Sequence, residues 1–418
     1  MTLGIYIQVP FCQTKCTYCN FHTGVVSRDR YQPYANAICR EIELVRHDDF
    51  YSALGGRSFS SGLNTAREAG ALTPEAEFSI VDTIYFGGGT PSLLDPAALA
   101  QVLDALRASF QFAAPEITLE ADPETIAAQK AAAWRAAGFN RISLGAQSFS
   151  DRELQSTGRM HRRADIESAV EILRTAGFAN ISMDLIAGLP HQTRESWEES
   201  LSELLRLRPE HISIYMLEID EGSHLGKESL AGGARYSAAA IPPDDLQAEF
   251  YDSACSRLAA AGYDHYEISN WALPGRRSHH NLKCWRREPY LGLGAGAHSF
   301  DGITRWANVH DSARYVAAME LLRDQGTSPR EQVEPVTPEQ ALEEEFFLGL
   351  RQLEGIDLER IERNYASNGN GTSARFAKIR AQVDSLRAQR LLDLEGNRLR
   401  LAPDRLTISS SVLAELLT

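Results

Sequence analysis

The chain has 418 residues, 43% of them hydrophobic, and carries 56 acidic against 42 basic side chains for a net charge of −14. That balance argues against a nucleic-acid backbone as the main partner, because no excess of Lys and Arg is present to displace counterions. No apolar run approaches the about 20 residues that span a bilayer. The start, MTLGIYIQVPF, also lacks the pattern of a secretory signal, so a cytoplasmic location is expected, with any membrane contact made through partners.

From the N-terminus, short β-branched and aliphatic runs at 4–9, 82–86, 116–120, 141–145, 181–186 and 211–216 read as strands. Amphipathic helical patterns lie between them at 31–45, 97–110, 125–137, 163–176 and 194–205. Gly138 and Gly177 stand where a helix commonly ends in a left-handed residue. This alternation gives an α/β fold with parallel pairing. Six such units suggest a sheet that curls into an incomplete (β/α)6 barrel, whose chemistry gathers at the C-terminal strand ends. The domain expected from this pattern covers 1–270. Residues 52–79, rich in Gly, Ser and Ala, read as a flexible surface insertion, and 366–373 as a second polar patch. A connecting segment, 271–335, leads to a module over 336–418. There the pattern gives helices at 339–351, 358–365 and 374–389, a hairpin turning at Glu395-Gly396, and a last helix at 409–417. Helices plus a terminal hairpin look like a small winged helix; without a basic stripe, a lid or docking role is expected.

Immediately after the first strand comes Cys12-Gln-Thr-Lys-Cys16-Thr-Tyr18-Cys19, a C-x3-C-x2-C spacing. Thiolates suit iron–sulfur clusters and zinc. A zinc site would take a fourth ligand, for which His22 is placed, and a redox dithiol would need only a C-x-x-C pair. Three cysteines on a four-iron cluster leave one iron without a protein ligand, free to be chelated by a small molecule. Cys39, within the first helix, reads as a small buried hydrophobe.

Polar residues then recur at strand ends. Phe86-Gly87-Gly88-Gly89-Thr90-Pro91 closes the second strand, where glycines let a ligand approach the backbone. Glu120 ends the third, Gln147 follows the fourth, Arg159 lies in STGRMH and Asp184 interrupts the fifth. Carboxylates suit ribose hydroxyls or an ammonium, and a guanidinium suits a carboxylate.

The cysteine triplet resembles that of the radical-SAM superfamily. In that superfamily the methionine part of S-adenosylmethionine (SAM) chelates the open iron of a [4Fe–4S] cluster, and an electron from the cluster cleaves the sulfonium to a 5′-deoxyadenosyl radical. The glycine stretch resembles the superfamily's glycine motif. The strand-end residues resemble the SAM contacts of the oxygen-independent coproporphyrinogen III oxidase-like family, from Gly4 to the C-terminal module. The resemblance implies a cluster on Cys12, Cys16 and Cys19. It implies SAM contacts from Tyr6, Tyr18, Gly88, Gly89, Thr90, Glu120, Gln147, Arg159, Asp184 and Ile268.

That family holds decarboxylating oxidases and HemW-type haem carriers. The oxidase pattern has a further cysteine two residues past the third, where this chain has Phe21, and a long extension before the first strand. His280-Asn281-Leu-Lys-Cys284-Trp285 resembles the HemW-type HNxxYW motif, with Cys284 in place of the tyrosine. The expected function is therefore a haem chaperone that binds haem, a [4Fe–4S] cluster and SAM and delivers haem to respiratory proteins, with haem contacts from His280, Asn281 and Trp285. It would draw on an electron donor for the cluster, with a homodimer left open. The alternative is the oxidase of haem biosynthesis.

Overall fold

A computed structural model describes residues 2–46, 80–325, 329–365 and 372–418. The expected insertion at 52–79 and residues 366–371 of the second polar patch lie outside them.

Six parallel strands form the centre of the molecule: Leu3–Val9 (β1), Ile80–Gly88 (β2), Gln111–Ala121 (β3), Arg141–Gln147 (β4), Ile181–Ala187 (β5) and His211–Met216 (β6), paired in chain order. Each falls on an expected strand. Parallel strands covered on both faces usually read as continuous apolar runs; these alternate. Ile5, Ile7, Ile84, Phe86, Leu119, Ile142, Leu144, Met183, Leu185, Ile212 and Ile214 are fully buried in the main core. The intervening residues are Tyr6, Thr83, Tyr85, Thr118, Glu120, Arg141, Ser143, Ser182, Asp184, His211 and Ser213. One face of the sheet is thus greasy and the other carries hydroxyls, carboxylates, imidazole and guanidinium.

The helices Tyr31–Arg46, Pro96–Ser109, Ala128–Ala137, Arg163–Thr175 and Arg194–Leu207 connect successive strands. Asp95 caps the second of them, accepting from the Ala97 N–H at 2.9 Å. Gly138 follows its helix with φ 110° and Gly177 with φ 89°, the left-handed conformation expected of both. Cys39 is buried, as expected, and burial pushes its thiol up to about 11.

Where six strands were expected, the sheet has twelve. Beyond β6 lie Asn270–Ala272 (β8) and Asp264–Glu267 (β7), both antiparallel. Beyond β1 lie Tyr290–Leu293 (β9), parallel to it, then His298–Phe300 (β10), Thr304–Asn308 (β11) and Arg330–Pro335 (β12), antiparallel. The resulting order is β12-β11-β10-β9-β1-β2-β3-β4-β5-β6-β8-β7. Among the described residues the two outer strands do not pair, so the barrel is partial. No described helix is long and apolar enough to cross a membrane.

The C-terminal region has the helices Pro338–Gly349, Leu358–Tyr365, Thr372–Ala388 and Ser409–Leu416 around a three-stranded sheet. Its strands are Ile356–Asp357 (β13), Leu392–Glu395 (β14) and Arg398–Leu401 (β15). Glu395 pairs with Arg398, so the hairpin turns at Gly396-Asn397, one residue later than the sequence suggests, with Gly396 at φ 60°. This region joins the barrel by backbone hydrogen bonds: Ile268 N–H donates to the Arg351 carbonyl at 3.0 Å and Leu353 N–H to that of Tyr266 at 3.1 Å.

Candidate functional site

A cavity of about 1040 Å³ opens at the C-terminal ends of the six parallel strands, and all three clustered cysteines line it. The loop carrying them is held by the fold itself. Cys12 N–H donates to the Gly24 carbonyl at 3.0 Å, Thr17 N–H to that of Thr157 at 3.0 Å, and Leu225 N–H to that of Thr17 at 2.8 Å. The thiols are free and half-buried. Among the described residues no three His, Cys, Asp or Glu side chains converge as ligands to a single ion. Three thiolates on a cluster would each bind their own iron. His22 packs its ring against His310, at 4.4 Å between centroids.

The glycine turn presses on this loop. A Cβ at Gly89 would meet the Phe11 carbonyl oxygen at 2.5 Å and Cys12 Sγ at 3.0 Å, so only glycine lets strand end and cysteine loop touch. Gly88 has φ 112°, and a Cβ there would collide with the Gln8 amide at 2.5 Å.

Nine of the ten residues expected to contact SAM line the cavity. Tyr18 stands between two of the cysteines and packs against an apolar cluster that includes Ile186, Leu189 and Leu217. Glu120 accepts from Tyr85 Oη at 2.8 Å and from the Gly88 N–H at 3.0 Å. Burial pushes its carboxyl up to about 7, more strongly than those two bonds pull it down. Asp184 is raised by burial too, and its Oδ1 is buried with no protein partner. Gln147 has left-handed backbone at φ 65°, unusual outside glycine, and folds its amide over Gly145. Ile268 contributes an apolar wall. Tyr6 does not reach the cavity: its hydroxyl donates to Gln8 at 2.8 Å and its ring stacks on Tyr85 below.

Parts of the site escaped the sequence reading. Asp122, two residues past Glu120, accepts from Thr90 Oγ1 at 3.0 Å and pairs with Arg159 Nη2. Arg159 donates also to the Gly145 carbonyl at 2.8 Å and, through Nη1, to Cys16 Sγ at 3.6 Å. Asp122 thus ties the glycine turn, the guanidinium and the cysteine loop together. Its E-x-D spacing puts both carboxylates at one strand end, a signal that was available. Ile408, from the C-terminal region, lines the mouth of the cavity with Ser409 and Ser410, which no local sequence feature announces.

The donor set fits a cluster and a sulfonium nucleoside. It offers three soft thiols, a glycine surface with no room for a side chain, buried carboxylates suited to hydroxyls or an ammonium, and unpartnered buried polar atoms at Asp184 Oδ1 and Arg159 Nε.

His280, Asn281 and Trp285 lie elsewhere, on the short helix His279–Trp285. Ser278 caps it, accepting from the Asn281 N–H at 3.4 Å. Lys283 anchors it to Asp82 at 3.1 Å and Glu288 at 2.9 Å. His280 is only 5% exposed; its Nδ1 lies 3.0 Å from Thr83 Oγ1, and burial pushes it down to about 3, so it is neutral. Trp285 is half-buried beneath the Arg351 guanidinium, 4.5 Å from the ring centroid. Burial pushes the Cys284 thiol up to about 11, which keeps it protonated.

The radical SAM superfamily model matches residues 6–204, and the HemN C-terminal domain model matches 336–404. "Heme chaperone HemW" of Bacillus subtilis is 34% identical over 368 residues, 88% of each chain. The protein of that name from Mycobacterium tuberculosis (strain H37Rv) is 32% identical over 421 residues, 99% of this chain and 94% of the other. The mitochondrial radical S-adenosyl methionine domain-containing protein 1 of Bos taurus is 31% identical over 426 residues, 99% of this chain and 87% of the other. Among solved structures, the coproporphyrinogen III oxidase HemN from Escherichia coli superposes with TM-score 0.77 at 21% identity, covering 100% of this chain and 90% of that one, a likeness of fold.

Proposed function

Since the chain belongs to the radical SAM superfamily and, within it, to the family of the HemW heme chaperones, we propose that it is a haem chaperone that binds a [4Fe–4S] cluster, SAM and haem and passes haem to respiratory proteins. The observation that carries the cofactor reading is the gathering of Cys12, Cys16, Cys19 and nine expected SAM contacts around one cavity. The cysteines would hold the cluster, and Glu120, Asp184 and Arg159 the polar groups of SAM. When bound, the cluster supplies an electron for the sulfonium. The chain's own residues position that sulfonium, exclude water through Tyr18, Ile268 and Ile408, and fix Arg159 through Asp122. The cytoplasm is the proposed location, with an electron donor for the cluster among the partners.

The choice of carrier over oxidase rests on Phe21, 66% exposed at the cavity rim where the oxidase pattern has a cysteine, and on the full-length likeness to heme chaperones. Haem contacts fall to His280, Asn281 and Trp285 by resemblance. Ligation of iron by His280 would require the helix His279–Trp285 to part from β2. The test is a haem titration beside an anaerobic assay with coproporphyrinogen III and SAM. Retention of about one haem per chain through gel filtration, without protoporphyrinogen, is the expected result. Stoichiometric decarboxylation would establish the oxidase instead.

Glu120 predicts a pH dependence. Its carboxyl ionises only above about 7 in the folded protein, so ribose hydroxyls lose their acceptor as pH falls. SAM affinity, measured by calorimetry on the cluster-loaded protein, should fall by up to about tenfold from pH 8 to pH 6. Glu120→Gln should flatten that slope. For the fold itself the sign is opposite. A carboxyl raised above its ordinary 4.5 contributes stability that is fully present below that value and lost as pH rises through about 7.

A further inference from the structure

The polar face of the barrel holds a stack of three rings beneath the cavity. Tyr6 and Tyr85 face each other with centroids 6.0 Å apart and 20° between planes. His280 closes the stack, 5.2 Å from Tyr85 and 6.2 Å from Tyr6, at 28° to each. The rings press on the glycine turn: a Cβ at Gly87 would lie 2.9 Å from Tyr85 and 3.0 Å from Tyr6. From this floor one hydroxyl reaches upward, Tyr85 Oη donating to Glu120 at 2.8 Å. Thr83 Oγ1 holds the imidazole from the side at 3.0 Å.

We propose that His280 is a positioning residue for SAM: by closing the ring stack it fixes Tyr85, and through Tyr85 it aims Glu120 into the cavity. This rests on the reading above that SAM occupies the cavity with Glu120 as a contact. One consequence follows for the carrier. Were His280 to ligate haem iron, its ring would leave the stack, haem would then weaken SAM, and by linkage SAM would weaken haem to the same degree.

The experiment measures SAM affinity by calorimetry on cluster-loaded protein, with iron content recorded for each variant. His280→Ala removes a ring from the stack and should weaken SAM three- to tenfold, about what one stacked ring contributes. His280→Phe restores a ring and should recover most of that affinity while abolishing any His–iron ligation. Tyr85→Phe keeps the ring but cuts the hydrogen bond to Glu120; it should weaken SAM as His280→Ala does. The double variant His280→Ala/Tyr85→Phe should be little worse than either. Unchanged SAM affinity in His280→Ala, or equal weakening in His280→Phe, would overturn the proposal. Should His280→Ala fail to fold, the Tyr85→Phe and His280→Phe pair still decides it. Haem-loaded wild type should bind SAM three- to tenfold more weakly than haem-free protein; equal affinity overturns the linkage. A wild type that binds no haem would sink the chaperone reading and leave the SAM measurements to judge the stack.

Discussion

Cys16→Ala should reduce iron and sulfide in anaerobically reconstituted protein from about four each per chain to background. Three thiols are the whole protein ligand set of the proposed cluster, so losing one leaves two irons exposed. The alanine variant should nonetheless fold. The loop is tied to the barrel by the Cys12–Gly24, Thr17–Thr157 and Leu225–Thr17 backbone bonds, and none of these passes through a thiol. Its urea midpoint should therefore stay close to that of the apo wild type, which separates loss of a ligand from loss of structure. A variant that keeps its iron would remove the cluster assignment.

The second large effect concerns the fold. Glu41, 4% exposed, accepts from the Gly294 N–H at 2.9 Å, from Asn308 Nδ2 at 2.7 Å and from Tyr315 Oη at 2.6 Å. It locks the first helix to the turn after β9 and to β11. Glu41→Ala removes the shared acceptor of three buried hydrogen bonds at once, and the cost should be about 3–5 kcal/mol, read from urea unfolding. Glu41→Gln keeps the volume and part of the accepting capacity and should cost less. A near-neutral Glu41→Ala would mean that water replaces the carboxylate.

The six parallel strands were legible because each is five residues or longer and flanked by an amphipathic helix. The six outer strands were not. β8 and β10 have three residues each, too few for any alternation to register, and they exist because β6 and β9 offer them an edge. The cavity was legible because its chemistry sits where strands stop: thiols after β1, glycines after β2, Glu120 near the end of β3. The floor was hidden. Tyr85 looks like any aromatic strand residue until Glu120, thirty-five positions on, is found hydrogen-bonded to it. The His280 motif was visible as a motif, but its depth was not, since a polar segment gives no sign that Thr83 and two tyrosines enclose it.

The backbone seam between residues 351–353 and 266–268 bears on how the molecule could be taken apart. A strand edge left bare is an adhesive surface. Severing the C-terminal region would uncover one along β7 and unroof the cavity at Ile408 in the same cut. That region is a stave of the vessel as much as its cover, and a shortened chain would meet its own copies through the gap.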